Sequence, residues 1–177
     1  MTLSTGAPIL VGCTDKIVWI KVEGKGSFLN SSGLKEFSRE MVNRGHREFV
    51  VDLKHCPVMD STFMGTMAGM ALRLKELGQG RLHVIHCGER SRELLSGLGL
   101  DQIFNIQANG AIAPECEELT KANGTAAEGS VDAKREQAGT MLEAHEALCQ
   151  AAPENLTRFK DVLEYLKHDL QHESPAK

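Results

Sequence analysis

The chain has 177 residues, with 41% hydrophobic and 5% aromatic side chains, 20 basic against 24 acidic residues and a formal net charge of −4. This length supports one domain of about 120 residues with an appended tail. The acidic balance and the few aromatic side chains argue against a nucleic-acid surface, and no apolar run approaches the roughly 20 residues of a membrane helix. We therefore expect no nucleic-acid partner and no membrane insertion.

The N-terminal residues lack the charged start and long apolar region of a signal peptide, which predicts a cytoplasmic protein. Histidines His168 and His172 lie four apart, but neither a metalloprotease-type Glu nor a cysteine cluster accompanies them. The cysteines are scattered and form no Cys-x-x-Cys pair: Cys13, Cys56, Cys87, Cys116 and Cys149. We predict reduced thiols, no metal and no cofactor.

Strand and helix patterns alternate from the first residues onward. Two apolar runs with a polar segment between them predict an opening β-hairpin over residues 8–11 and 17–22. An amphipathic stripe predicts a helix capped near residues 30–32 and ended by Gly45. A β-branched run over residues 48–53 then predicts a buried strand.

A second amphipathic helix follows that strand. Asp60 can accept hydrogen bonds from the first free backbone N–H groups, so it is the predicted N-cap, and Ser61 becomes the first helical residue with an exposed hydroxyl. Gly78 ends the helix as a left-handed cap. The core-facing stripe has helical spacing: Phe63, Met67, Met70, Leu74 and Leu77.

The hydroxyl pair at this helix start has two interpretations. Ser61 and Thr62 could serve only to cap the helix. A phosphate on Ser61 would instead lie among unpaired N–H groups, which favours it, and beside Asp60, which opposes it. Such a charge would be hard to bury under a partner, so the position also suits a switch of association.

The remaining core elements are predicted as a strand over residues 81–86, a short helix over 91–98, a strand over 102–106 and a last helix over 114–121. Alternating elements with short connections indicate an α/β fold, a small mixed sheet of about five strands with helices packed on it.

The C-terminal third has a different composition. Small, polar and glycine-rich residues predict a flexible linker over residues 122–139. Two amphipathic stripes beyond it predict a helical hairpin over residues 140–173. Short helices are unstable alone in water, so the hairpin must pack on its own domain, on a second copy in a homodimer, or on another partner. A partner-binding or autoinhibitory arm remains an alternative.

The run Val50-Val51-Asp52-Leu53, followed by Met59-Asp60-Ser61-Thr62, resembles the corresponding motif of the STAS family, and so does the order of elements. The resemblance covers residues 7–121. It implies that Ser61 is phosphorylated by a partner anti-sigma kinase, with Thr62 as the fallback acceptor. It also implies a partner-binding site formed by Asp60, Ser61, Thr62 and Gly65.

The resemblance implies a phosphoprotein of signal transduction and transcription regulation. As an anti-sigma factor antagonist it would bind an anti-sigma factor serine kinase while Ser61 is free and release it after phosphorylation, which is partner switching. The alternatives are an accessory subunit of a lipid-transport ATPase complex that docks without phosphorylation, and a scaffold assembled through its tail helices. The sequence contains no nucleotide loop and no distinctive acid/base pair, so we expect no catalytic residues and no enzyme.

Overall fold

The computed structural model describes residues 9–108, 120–121 and 131–172. Within these residues the strands form one mixed sheet in the order β5-β4-β3-β2-β1-β6. The pairs β1–β2 and β1–β6 are antiparallel, and β2–β3, β3–β4 and β4–β5 are parallel. The strands are β1 (Ile9–Cys13), β2 (Ile17–Glu23), β3 (Glu48–His55), β4 (Arg81–Ile85), β5 (Asn105–Ile106) and β6 (Thr120–Lys121).

Helices connect the parallel strands and extend the chain beyond them. In the described residues they are α1 (Phe28–Asn43), α2 (Ser61–Glu76), α3 (Glu89–Gly97), α4 (Val131–Ala151) and α5 (Asn155–His172). Helix α1 packs on α2, and α4 packs on both α2 and α5. We call α4 and α5 together the C-terminal arm. The predicted α/β sheet with helices packed on it and a C-terminal helical pair is confirmed.

The main core lies between the sheet and the inner face of α2. Phe63 and Met67 are fully buried against strand residues such as Phe49 and Val51. Burying side chains of this size contributes about 1.5–3 kcal/mol each. The position of α2 on the sheet is therefore fixed by large apolar side chains at helical spacing, as the sequence predicts.

Helix α1 begins before the predicted region at residues 30–32. Its N-cap is Ser27, whose hydroxyl accepts from Leu29 N at 3.2 Å, while Asn30 Oδ1 accepts from Ser27 N at 2.9 Å. These two hydrogen bonds satisfy the backbone N–H groups of Ser27 and Leu29. They place the N-cap at Ser27, three residues before the predicted region. The predicted cap was wrong because Asn30 closes the cap from inside the helix.

Further boundaries differ from the predictions, among them that of α3, which begins at Glu89 and not at residue 91. The fifth strand is limited to Asn105–Ile106, since a 3-10 turn occupies Leu100–Gln102. The predicted last helix is wrong at Thr120–Lys121, which pair with Leu10 and Val11 in β6, and residues 114–119 lie outside the described residues. The predicted linker over residues 122–139 includes the start of α4 at Val131, because alanine, glutamine and charged residues of high helix propensity occupy 133–138.

In the part of the chain that the structure describes, we find no helix with the length and apolar character needed to cross a bilayer. The same residues contain no group of three or more potential metal-ligating side chains.

Candidate partner-docking site at Ser61

The start of α2 is held by Asp60, the residue that the sequence predicts as its N-cap. Asp60 Oδ1 accepts from Phe63 N at 2.8 Å, and Oδ2 accepts from Phe28 N at 2.8 Å. One carboxylate therefore ties the N-termini of α1 and α2 together. The backbone adds a bond from Asp60 N to Gly26 O at 2.9 Å. The position of Ser61, the next residue, is fixed by these contacts.

Ser61 is half-buried and its hydroxyl is hydrogen-bonded, whereas the sequence predicts an exposed hydroxyl. Its Oγ lies 3.0 Å from His145 Nε2, and His145 Nδ1 lies 2.6 Å from Met141 O. A carbonyl only accepts, so Nδ1 carries the proton, and in the neutral ring Nε2 accepts from the Ser61 hydroxyl. The prediction of exposure was wrong because α4 covers this end of α2.

Gly65 allows the backbone of α4 to approach α2 directly. A Cβ at Gly65 would lie 2.3 Å from the Ala144 carbonyl oxygen and 2.8 Å from the Ala144 Cβ. One turn further, a Cβ at Gly69 would lie at an ordinary 3.8 Å from Ala147 Cβ. Ser61, Gly65 and Gly69 are spaced four apart and so form one row of small residues under α4.

The other predicted site residue, Thr62, is 3% exposed. Its backbone carbonyl accepts from Thr66 Oγ1 at 2.9 Å, a bond within α2. The structure thus brings Asp60, Ser61 and Gly65 to one end of α2 beneath the arm, with Thr62 buried beside them.

A family model of the STAS domain matches residues 9–113, more than half of the chain. The chain belongs to the STAS family. The matched segment contains β1–β5 and α1–α3, and the C-terminal arm lies beyond it. The structure therefore combines a STAS domain with a helical pair outside the family match.

Solved structures share the fold. An anti-sigma factor antagonist from Mycobacterium paratuberculosis is 20% identical, with a TM-score of 0.52 over 60% of this chain and 90% of that one. A Thermotoga maritima protein, described provisionally as an anti-sigma factor antagonist, is 19% identical, with a TM-score of 0.51 over 55% of this chain and 83% of that one. The search of curated proteins gave no match.

The arm is fastened to the STAS domain at the middle of α4 and at the start of α5. In the middle of α4, Thr140 Oγ1 lies 3.1 Å from Ser32 Oγ. At the start of α5, Asn155 is 3% exposed and donates to Leu98 O at 2.9 Å and to Leu148 O at 2.8 Å. Buried, satisfied polar groups of this kind specify one docked orientation of the arm.

His145 is a site residue that the sequence argument did not assign. Its ring meets Phe159 of α5 edge-on, with centroids 5.0 Å apart, and the residue is 4% exposed. The sequence places His145 within the apolar stripe of the tail. A polar side chain in such a stripe requires a buried hydrogen-bond partner, and that requirement was the available signal.

Two features distinguish the contact between the arm and α1 from the packed core. The pKa of Glu36 is raised, first by its hydrogen bond to the Glu136 carboxyl on α4 and then by burial and charge repulsion. In addition, a groove of about 540 Å³ remains between α1, α2 and α4, lined in part by Lys35, Arg73 and Gln150. Packing at this side of α4 is less complete than in the core beneath α2.

Proposed function

We propose that this chain is a phosphorylation-regulated protein-binding module, an anti-sigma factor antagonist. With Ser61 unphosphorylated it binds an anti-sigma factor serine kinase, and phosphorylation of Ser61 releases that partner. The module acts in the cytoplasm by association alone, without catalysis or a cofactor.

The observation that carries the proposal is the position of Ser61 in a STAS domain. It is the first residue of α2, directly after an aspartate that caps the helix and ties it to α1. Of the two neighbouring hydroxyl residues, Thr62 is 3% exposed and Ser61 is half-buried, which supports Ser61 as the acceptor. The antagonist role of the Mycobacterium paratuberculosis structure supports the same class of function.

The physical effect of phosphorylation would be exerted on the partner interface. A phosphoserine carries about −1.5 to −2 charges at neutral pH. Asp60 already places a carboxylate beside the acceptor, so the phosphate increases a local negative charge that a docked partner would have to desolvate. Loss of the partner follows without any change in the STAS fold.

Intact-mass analysis of the protein from its native cells, with fragmentation to localise added phosphate, tests the proposal. We expect a phosphate on Ser61 in some growth conditions. Its absence from Ser61 in all conditions would contradict the proposal and would favour a module that docks without phosphorylation.

A second test compares Ser61→Asp with Ser61→Ala in full-length chains. The measurement is the amount of anti-sigma factor that each chain retains from native extract, identified by mass spectrometry. We expect Ser61→Asp to retain less and Ser61→Ala to retain at least as much as the natural chain. Equal retention by the two variants would contradict a phosphate-operated release.

A further inference from the structure

The arm covers the same part of α2 that the proposed partner has to contact. Ala144 lies over Gly65, and His145 takes the hydrogen bond of the Ser61 hydroxyl. We infer that α4 occupies the partner-docking face of the STAS domain, so that the docked arm, a bound partner and a phosphate on Ser61 exclude one another.

The exclusion between arm and partner follows from the close approach at Gly65. The Ala144 carbonyl oxygen would be 2.3 Å from a Cβ at this position, so the α4 backbone fills the space directly above the glycine. A second helix cannot occupy that space at the same time. A partner that uses Gly65 must therefore displace α4, and the row of small residues suits a partner helix that also carries small residues at its contact.

The exclusion between arm and phosphate follows from the contact at Ser61. The hydroxyl hydrogen that His145 accepts is the atom that phosphorylation replaces, and Nε2 stands 3.0 Å from Oγ. A phosphoryl group adds three oxygens and their hydration shell. The docked arm leaves only a hydrogen-bond distance between Ser61 Oγ and His145 Nε2, which is too short for them. Phosphorylation would therefore remove the hydrogen bond and push α4 away.

The same contact shields Ser61 from a kinase. The acceptor oxygen must reach the transferred phosphoryl group in line, and α4 lies across its approach. The kinase would then act on the form with the arm displaced, and the phosphate would keep it displaced. Two features at the exposed side of the arm are consistent with reversible docking. They are the Glu36–Glu136 pair and the open groove.

The inference rests on the proposed role of Ser61, but its test installs the phosphate directly. Phosphoserine is incorporated at position 61 of the full-length chain by genetic encoding, and amide hydrogen exchange of α4, α5 and the sheet is measured. The absence of phosphate in native cells would remove the proposed function while leaving this exclusion measurable.

We expect exchange in α4 and α5 at least about tenfold faster with phosphoserine, while exchange in β2–β4 stays unchanged, because helices released from packing lose their protection. Ala144→Glu, which places a charge in the 2% exposed Ala144 site, should give the same result. Tyr165→Glu adds the same charge at a 70% exposed position of α5, away from the groove, and should leave the exchange unchanged.

Two results would overturn the inference. One is unchanged or slower exchange in α4 with phosphoserine at position 61, which would mean that His145 holds the phosphate in the docked arm. The other is equal exchange in the Ala144→Glu and Tyr165→Glu chains, which would mean that the docking of α4 does not depend on its contact with α2.

Discussion

Helix α2 has two packed faces of different construction. The inner face places Phe63, Met67 and Leu74 against the sheet, each at most 1% exposed. The outer face places Ser61, Gly65 and Gly69 against α4, with two glycines and a hydrogen bond in place of large side chains. The inner face removes much more apolar surface from water per residue than the outer face does.

This difference separates a permanent contact from one that can open. Loss of the inner contact would expose the core of the STAS domain, so α2 cannot leave the sheet while the domain stays folded. Among the described arm residues, Leu148 is fully buried in that core, and Ala147, Ala151 and Phe159 pack against it while partly buried. We expect the arm to detach with the STAS domain intact, and the following substitutions test the two faces separately.

The largest effect is expected on the inner face. Phe63→Ala should lower the free energy of unfolding of the whole chain by about 3–5 kcal/mol, through lost burial and a cavity. Urea denaturation followed by circular dichroism measures this. Tyr165→Ala is the control, because Tyr165 is 70% exposed on α5; it should change stability by no more than about 0.5 kcal/mol. Equal losses in the two variants would contradict the assignment of the core.

The next effect is on the outer face and uses the two glycines as a matched pair. Gly65→Ala should detach the arm, because its Cβ would meet the Ala144 carbonyl oxygen at 2.3 Å. Gly69→Ala should keep the arm docked, because its Cβ would lie 3.8 Å from the Ala147 Cβ. It should also raise the stability of α2 by about 1 kcal/mol, because alanine has a higher helix propensity than glycine. Amide exchange of α4 distinguishes them, and identical exchange in the two variants would contradict a close contact at Gly65.

A smaller effect is expected when the hydrogen bond alone is removed. Ser61→Ala leaves His145 Nε2 without its partner in a residue that is 4% exposed, which costs about 1–3 kcal/mol of arm docking. Amide exchange of α4 should accelerate without reaching the rate of Gly65→Ala. Unchanged exchange would show that the Ser61–His145 bond contributes nothing to docking.

The smallest effect concerns pH. The pKa of Glu36 is raised in the docked arm, chiefly by its hydrogen bond to Glu136, so docking binds a proton. This stabilisation is complete below the usual glutamate pKa and is lost as the pH rises through the raised value. We expect arm docking, measured by amide exchange corrected for pH, to weaken over that range.

Glu136→Gln tests the origin of this pH dependence. Removing one carboxylate should strengthen docking at neutral pH and flatten its pH dependence, whereas Glu164→Gln at an exposed position of α5 should change neither. If the pH dependence of docking is unchanged in Glu136→Gln, a titratable group other than the Glu36–Glu136 pair must cause it.

The features of the fold that depend on local sequence patterns were predictable. The hairpin, the buried strand β3, the Asp60 cap and the left-handed Gly78, with φ of 82°, follow from side-chain periodicity and turn chemistry. The start of α1 was missed because Asn30 contributes to the cap from within the helix. Short edge strands such as β5 carry too few residues for a periodic signal.

The covering of Ser61 could not be predicted because it depends on contacts far apart in the sequence. An amphipathic stripe indicates that the tail buries one side, but it does not indicate which surface receives it. The receiving surface is marked by Gly65 and Gly69, which in the sequence look like ordinary small residues of a helix. Only the position of Gly65 opposite Ala144 shows why glycine is required there.

The shielding of Ser61 by the arm is tested most directly by thiol labelling. Ser61→Cys is combined with Ala144→Glu or with its control Tyr165→Glu, and labelling at position 61 by a maleimide is followed by peptide mass spectrometry. The peptide analysis separates this label from reaction at the exposed Cys13, and burial raises the pKa of the Cys56, Cys87 and Cys149 thiols, which slows their reaction. We predict labelling at least about tenfold faster with Ala144→Glu than with Tyr165→Glu; equal rates in the two chains would contradict the account.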